Sequence, residues 1–325
     1  MRKSILSCLA IALVLALGLA GLGCPEDEVP EPGITKITVG CKEFTEQFLI
    51  GEMMAQLLEA RLEGIEVELR DGLTSATLRD GIESGELDVI AEYTGTAWMV
   101  HFGEEYVPGW DNGDIYEFVK ERDEEEHDII WLDPIWNNNT YAFASWPEFV
   151  GEHELVTLSD LAALYREMEG KIYTSITDEW DVRPDGRAAF EEHYDFTYDP
   201  EYLVVVTAGL TLSALKEEEV DVGMVFATDS WMAELGWHVY QDDLSFFPPY
   251  DMTPSVRKEV LDELPEIATI LNELVATFPG GGQSATPELV GEAQAVWQDL
   301  NHKVDFEEMW PDEVAEWWLQ QNGLI

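Results

Sequence analysis

Basic residues are scarce in this chain. Lys and Arg number 17 against 67 Asp and Glu in 325 residues, a formal net charge of −50. A chain so poor in cations lacks the means to neutralise phosphates, which argues against nucleic acid and anionic membrane surfaces as partners. Cysteine is nearly absent too: Cys8, Cys24 and Cys41 are the whole complement, too few for a disulfide framework. No Asp-x-Asp-x-Asp-Gly calcium loop, no His-x-x-x-His pair and no Gly-x-Ser-x-Gly elbow occurs. No catalytic residue, metal or cofactor is therefore called for. Charge of this size with little hydrophobicity would mean disorder, but 46% of residues are hydrophobic and 11% aromatic, which favours a folded core. Self-repulsion destabilises such a fold in dilute buffer, whereas at ~1 M salt the Debye length falls to ~3 Å and screens it. The composition suits a protein that works in brine.

The N-terminus gives an address. Arg2 and Lys3 precede an apolar run from Ile5 to Leu22, then Gly23-Cys24 and an acidic, proline-rich stretch to Gly33. Residues 1–23 read as an export signal, with a retained membrane span as the alternative. The small residues before Cys24 resemble a bacterial or archaeal lipobox. Cys24 would then carry lipid, residues 24–35 would be a self-repelling tether, and the body would face the periplasm or the outer side of the cytoplasmic membrane. Cys41, alone in the mature body, reads as a buried small residue rather than a reactive thiol.

Beyond the tether the pattern alternates. A strand from Ile37 to Gly40 leads to a helix from Thr45, its expected N-cap, to Arg61. Strand 65–69, helix 75–84 and a strand through Leu87, Val89 and Ile90 follow, the β-α-β-α-β order of a mostly parallel sheet. That last strand ends in Tyr93-Thr94-Gly95-Thr96, placing a ring and a hydroxyl where open α/β sheets bind ligands, unless Tyr93 is core and Thr96 a cap. An exposed acidic helix at 116–124 and a strand at 129–132 complete a first lobe. Pro134 to Ala144, with Asn137-Asn138-Asn139-Thr140-Tyr141 at its centre, reads as a crossing. A second lobe has helices at 157–168, 186–193 and 210–217, strands at 171–175 and 220–226, and a helix from Asp229 to about Leu235. The chain returns through Phe246-Phe247-Pro248-Pro249-Tyr250, and helices are expected at 254–277, 287–300 and 312–321, with Gly280-Gly281-Gly282 a flexible interruption. The division is 36–137 plus 242–325 for lobe 1 and 138–241 for lobe 2. Two lobes joined by two crossings make a hinged cleft.

Six motifs then occur in a familiar order: Gly40-Cys41-Lys42-Glu43-Phe44-Thr45-Glu46-Gln47, Glu92-Tyr93-Thr94-Gly95-Thr96, Asn139-Thr140-Tyr141, Arg183-Pro184-Asp185-Gly186, Phe226-Ala227-Thr228-Asp229 and Phe247-Pro248-Pro249-Tyr250. In this the chain resembles the substrate-binding proteins of ABC importers for glycine betaine, carnitine and choline. The resemblance implies a type II periplasmic-binding-protein fold, a quaternary ammonium ligand and a permease partner. It implies an aromatic box of Tyr93, Tyr250, Tyr141 and Phe226, with Asn139 beside it, and a carboxylate held by Lys42, Thr96 and Arg183. The chemistry agrees: a quaternary ammonium has no N–H to donate and is recognised by π-faces, each worth ~0.5 to 2 kcal/mol. For Lys42 and Arg183 the competing reading is ion pairing with some of the many carboxylates, and for Phe226 and Tyr250 it is core packing. Phe226 stands where Tyr is common and Asn139 where some members carry Asp. Without that charge a bare cation such as choline is expected to bind less well than a zwitterion. The rival functions are a receptor for another solute, such as ectoine or proline, and an exported enzyme on the same scaffold.

Overall fold

Among the described residues ten strands make two five-stranded sheets of the same design. The first sheet is built from β1 (Lys36–Lys42), β2 (Glu66–Leu73), β3 (Val89–Tyr93) and β4 (Ile129–Trp131), together with the late strand β10 (Met252–Arg257). Its order is β2-β1-β3-β10-β4. Strands β1, β2 and β3 run parallel, and β10 lies antiparallel between β3 and β4. The second sheet uses β5 (Tyr141–Ser145), β6 (Thr174–Thr177), β7 (Leu203–Val206), β8 (Val222–Phe226) and β9 (His238–Val239) in the order β7-β6-β8-β5-β9. The chain thus leaves the first sheet after β4 and returns to it at β10, passing through the second sheet between. The computed structural model describes residues 33–105, 111–230 and 235–325, of which 34–325 form one compact unit. The expected export signal, Cys24, nearly all of the tether and most of the helix expected after Asp229 lie outside the described residues. No helix among the described residues is long and apolar enough to cross a membrane.

The first sheet is held by helix Thr45–Arg61, whose Leu49, Ile50, Met53, Met54, Leu57 and Leu58 are fully buried against Ile37, Val39 and Val89. Each such side chain contributes about 1.5–3 kcal/mol by leaving water, so this one face outweighs any cap. The cap itself differs from expectation. Phe44 occupies the N-cap position without a side-chain hydrogen bond, while the Thr45 hydroxyl donates to Asp305 at 2.8 Å. The second sheet has its own core around Phe143, Tyr165, Ile176, Trp180 and Met224. Cys41 is buried, and burial with nearby Asp71 and Glu52 pushes its thiol up to about 12, which holds it in the neutral form.

Several elements depart from the sequence reading: strand Tyr141–Ser145 begins inside the expected crossing, strand Leu203–Val206 and helices Pro147–His153 and Asp178–Val182 were not expected, and three further segments differ in kind. Met252–Arg257 is a central strand, not the start of a helix at Pro254. A proline is disfavoured there because it cannot donate to the ladder. The Pro254 carbonyl accepts from the Leu132 N–H at 2.9 Å, and the Leu132 carbonyl, deprived of a reciprocal donor, accepts the Tyr116 hydroxyl at 2.8 Å. Tyr116 belongs to helix Asn112–His127, which is not merely an exposed acidic helix: Ile115, Tyr116, Val119 and Asp123 are buried. Finally, Gly280–Gly282 is a defined turn rather than a loose one. Gly280 and Gly282 take φ near +70°, and a Cβ at Gly281 would stand 2.0 Å from the Val275 carbonyl oxygen.

Candidate functional site

The crossing segments set the geometry. Asn137-Asn138-Asn139 runs out of the first sheet beside the returning Tyr250-Asp251-Met252, and side-chain amides tie the two together. The Asn138 side chain accepts from the Tyr250 N–H at 2.8 Å, that of Asn137 accepts from the Met252 N–H at 3.0 Å, and the Tyr250 carbonyl accepts from the Asn139 N–H at 2.8 Å. Asparagine suits Asn138 for a second reason, a φ of 33° that few other side chains tolerate. The structure thereby places Tyr141, at the start of β5, within 5.4 Å of the Tyr250 ring and nearly perpendicular to it. Tyr141 is also the direct ladder partner of Phe226, with ring centroids 5.0 Å apart.

All eight residues expected at the site line one pocket. Lys42, Tyr93, Thr96 and Tyr250 come from the first sheet's strand ends and loops, Tyr141, Arg183 and Phe226 from the second, and Asn139 from the crossing. Gly95 makes room for this: a Cβ there would lie 2.6 Å from the Pro249 carbonyl oxygen and from the Tyr250 ring. The sequence reading missed a fifth ring. Phe44 also lines the pocket, stacked at 5.9 Å and 3° on Phe226 and at 6.3 Å and 22° on Tyr93. Its only sequence signal is its place in the loop that follows Lys42.

Both cations are already engaged. The Lys42 ammonium donates to Glu92 at 2.6 Å and stands 5.1 Å from the Tyr93 ring centroid, with Lys42 and Glu92 both buried. Burial alone would raise Glu92, but Lys42 and His101, whose Nε2 lies 3.2 Å from it, hold it down at about 2. His101 reaches this position because residues Ala97–His101 form one π-helical turn. Arg183 makes a bidentate pair with Asp185, Nε and Nη2 donating at 2.8 and 2.6 Å, which explains the spacing of Arg183-Pro184-Asp185. Its planar fork is therefore not open to a ligand carboxylate. The remaining nitrogen, Nη1, donates to the Tyr141 hydroxyl at 2.9 Å and to Glu179 at 3.4 Å. Glu179 was not singled out by the sequence, yet it lines the pocket and accepts from the Ser75 N–H across it at 3.3 Å.

Residues 35–321 match the family described as the substrate binding domain of ABC-type glycine betaine transport systems. The chain belongs to this family. It is 33% identical to the glycine-betaine-binding protein of Pseudomonas aeruginosa, over 98% of this chain and 94% of that one. It is 30% identical to the glycine betaine-binding protein YehZ of Escherichia coli, over 91% and 93%. A crystal structure of a glycine betaine/carnitine/choline ABC transporter protein superposes with a TM-score of 0.65 at 25% identity, covering 89% of this chain and 99% of the other. The two sheets are thus the two halves of a type II periplasmic-binding-protein fold, as the sequence motifs implied. Among the described residues there is no group of three or more His, Cys, Asp or Glu that could hold a metal ion.

Proposed function

We propose that this protein captures glycine betaine, or a related quaternary ammonium solute, outside the cytoplasmic membrane and presents it to an ABC permease, without chemical turnover. The observation that carries this reading is the convergence of five aromatic rings, Phe44, Tyr93, Tyr141, Phe226 and Tyr250, on one pocket that also holds Lys42 and Arg183. Trimethylammonium offers no hydrogen-bond donor, and a cage of π-faces is the protein surface that recognises it. The Thr96 hydroxyl and the Lys42 N–H bonds not spent on Glu92 are the donors for a ligand carboxylate, and Arg183 Nη1 joins them by exchanging its 3.4 Å contact with Glu179 for the ligand. Because the pocket draws walls from both sheets, closure of the two halves about the paired crossings completes the cage, and ligand shifts the population toward the closed form. Lipid on Cys24 would keep the receptor beside its permease, and the acidic surface suits a saline exterior.

The test is calorimetric titration, in molar salt, with glycine betaine, carnitine, choline and ectoine, alongside Tyr93→Ala. Betaine binding that the variant loses supports the receptor and its cage together. Absence of heat with every quaternary amine, in protein shown to be folded by circular dichroism, refutes the assignment. Hydrolysis or oxidation of any of these compounds by the purified protein would favour an enzyme instead.

A further inference from the structure

We propose that Glu46 supplies the negative charge of the ammonium cage from one side chain behind its wall, so that capture of the cation expels a proton from the protein. The inference rests on the pocket being a quaternary ammonium site.

Glu46 sits in the first turn of helix Thr45–Arg61 and is 2% exposed. Its Oε1 accepts three hydrogen bonds: from the Tyr93 hydroxyl at 2.7 Å, from Asn139 Nδ2 at 3.0 Å and from Asn137 Nδ2 at 3.1 Å. Two of these donors, Tyr93 and Asn139, line the pocket itself. Among the described residues its Oε2 finds no hydrogen bond of ordinary geometry, although the Thr228 side chain lies beside the carboxyl group. A phenol whose O–H donates to a carboxylate carries more negative charge on its ring face, and the Glu46 carboxyl group meets the ring at its hydroxyl end. A cation held against Tyr93 therefore favours ionised Glu46 over neutral Glu46.

The surroundings leave Glu46 able to change state. Burial drives its carboxyl up to about 7, restrained by its hydrogen-bond donors. Of the charged and titratable groups around it, Tyr93 comes from β3, and Asp229 follows β8. Asp305 ends helix Pro287–Asp305 and bonds Thr45 and Ser230. Burial raises Asp229 to about 8, with Asp305 and Glu46 adding to the effect, and burial raises Asp305 as well. The cation nearest Tyr93, Lys42, is committed to Glu92. Among the described residues no basic side chain thus pairs with Glu46, and the ligand supplies the missing cation.

The sign follows by linkage. Glu46 is partly protonated near pH 7 when free and more ionised when a cation is bound, so binding releases a proton and strengthens as pH rises. A one-unit depression of Glu46 on binding makes affinity about fivefold weaker at pH 6 than at pH 8 and releases about 0.4 proton at pH 7.

The experiment is calorimetry of the exported protein with choline and glycine betaine in molar KCl, at pH 6, 7 and 8, with pH 7 repeated in phosphate and Tris. Expected are heats that differ between the two buffers by the proton released, and the pH trend above. Glu46→Gln, which keeps an acceptor for Tyr93, should bind both ligands more weakly, choline most, and should lose both the proton release and the pH trend. Asp229→Asn should keep them. Equal heats in the two buffers for the unaltered protein overturn the proposal even if Glu46→Gln does not fold. So does proton release that survives in Glu46→Gln or vanishes only in Asp229→Asn. No binding of any quaternary amine at any pH would instead remove the pocket assignment on which the proposal stands.

Discussion

Replacing Lys42 by methionine separates what this residue does for the fold from what it does for a ligand. The Lys42–Glu92 pair is buried, with both side chains within a few per cent of complete enclosure. Removing one partner of such a pair leaves an uncompensated charge and costs about 3–5 kcal/mol. With an unfolding entropy of about 2.1 cal/mol/K per residue, the folded unit of residues 34–325 has roughly 0.6 kcal/mol/K in total. The expected fall in Tm is therefore about 5–8 °C. The pH dependence carries a sign as well. In the unaltered protein Glu92 lies at about 2, below its unfolded value near 4.3, so its contribution is fully present above that value and is lost only as pH falls through 2. Once Lys42 is gone, burial dominates and raises Glu92, so the stability gap between variant and parent widens from pH 5 to pH 8. Scanning calorimetry of Lys42→Met, Glu92→Gln and the double variant completes the cycle. The double variant should recover much of the loss, because a neutral amide still accepts from the Tyr93 N–H that Glu92 now receives at 2.7 Å. A single variant within about 1 °C of the parent, or a double variant as unstable as the sum of the two singles, refutes this account of the pair.

Gly186→Ala should unfold or displace the Arg183 loop, since its Cβ would stand 1.8 Å from the Trp180 carbonyl oxygen; weakened betaine binding in calorimetry, with a lowered Tm, is the expected outcome. Tm should rise with KCl from the millimolar to the molar range, because the net charge of −50 is screened within ~3 Å at ~1 M; a flat salt profile counts against self-repulsion as a destabilising force. The ligand-free protein should be more heat-stable near pH 5 than near pH 8.5. Burial raises Glu46 and Asp251 to about 7 and Asp229 to about 8, so the fold favours their neutral forms; that stability is complete below the unfolded values near 4 and is lost as pH rises through 7 to 8. Thermal melts across that range decide it, and a maximum at alkaline pH would contradict it.

What the sequence made legible follows from where the information lies along the chain. Helices Thr45–Arg61 and Ser75–Ser84 match their expected bounds because their apolar spacing is local and their ends are marked, the second by Thr74 before it and Gly85 after it. Strand Met252–Arg257 was not legible, because its stability comes from neighbours about 120 and 160 residues away that satisfy what Pro254 cannot. The short strand Leu203–Val206 was passed over for a similar reason: it is an edge strand paired only with β6. The candidate site was legible where a residue type is rare. With 17 cations in the chain, Lys42 and Arg183 stand out, and the structure sets both in the pocket. It was illegible where a residue type is common. Glu46, Glu92, Asp185 and Glu179 are four among 67 acids; the first three lie within the quoted motifs, but only their burial, and for all four the donors aimed at them, give them a role. The same holds for Asn139. Read alone, it is an uncharged polar amide side chain beside the aromatic box. With its Nδ2 on Glu46 Oε1, beside the Tyr93 hydroxyl on the same oxygen, that amide is a link between the cage and a buried carboxyl group. Asn139 therefore matters for the hydrogen bond it donates to Glu46 rather than for a charge of its own.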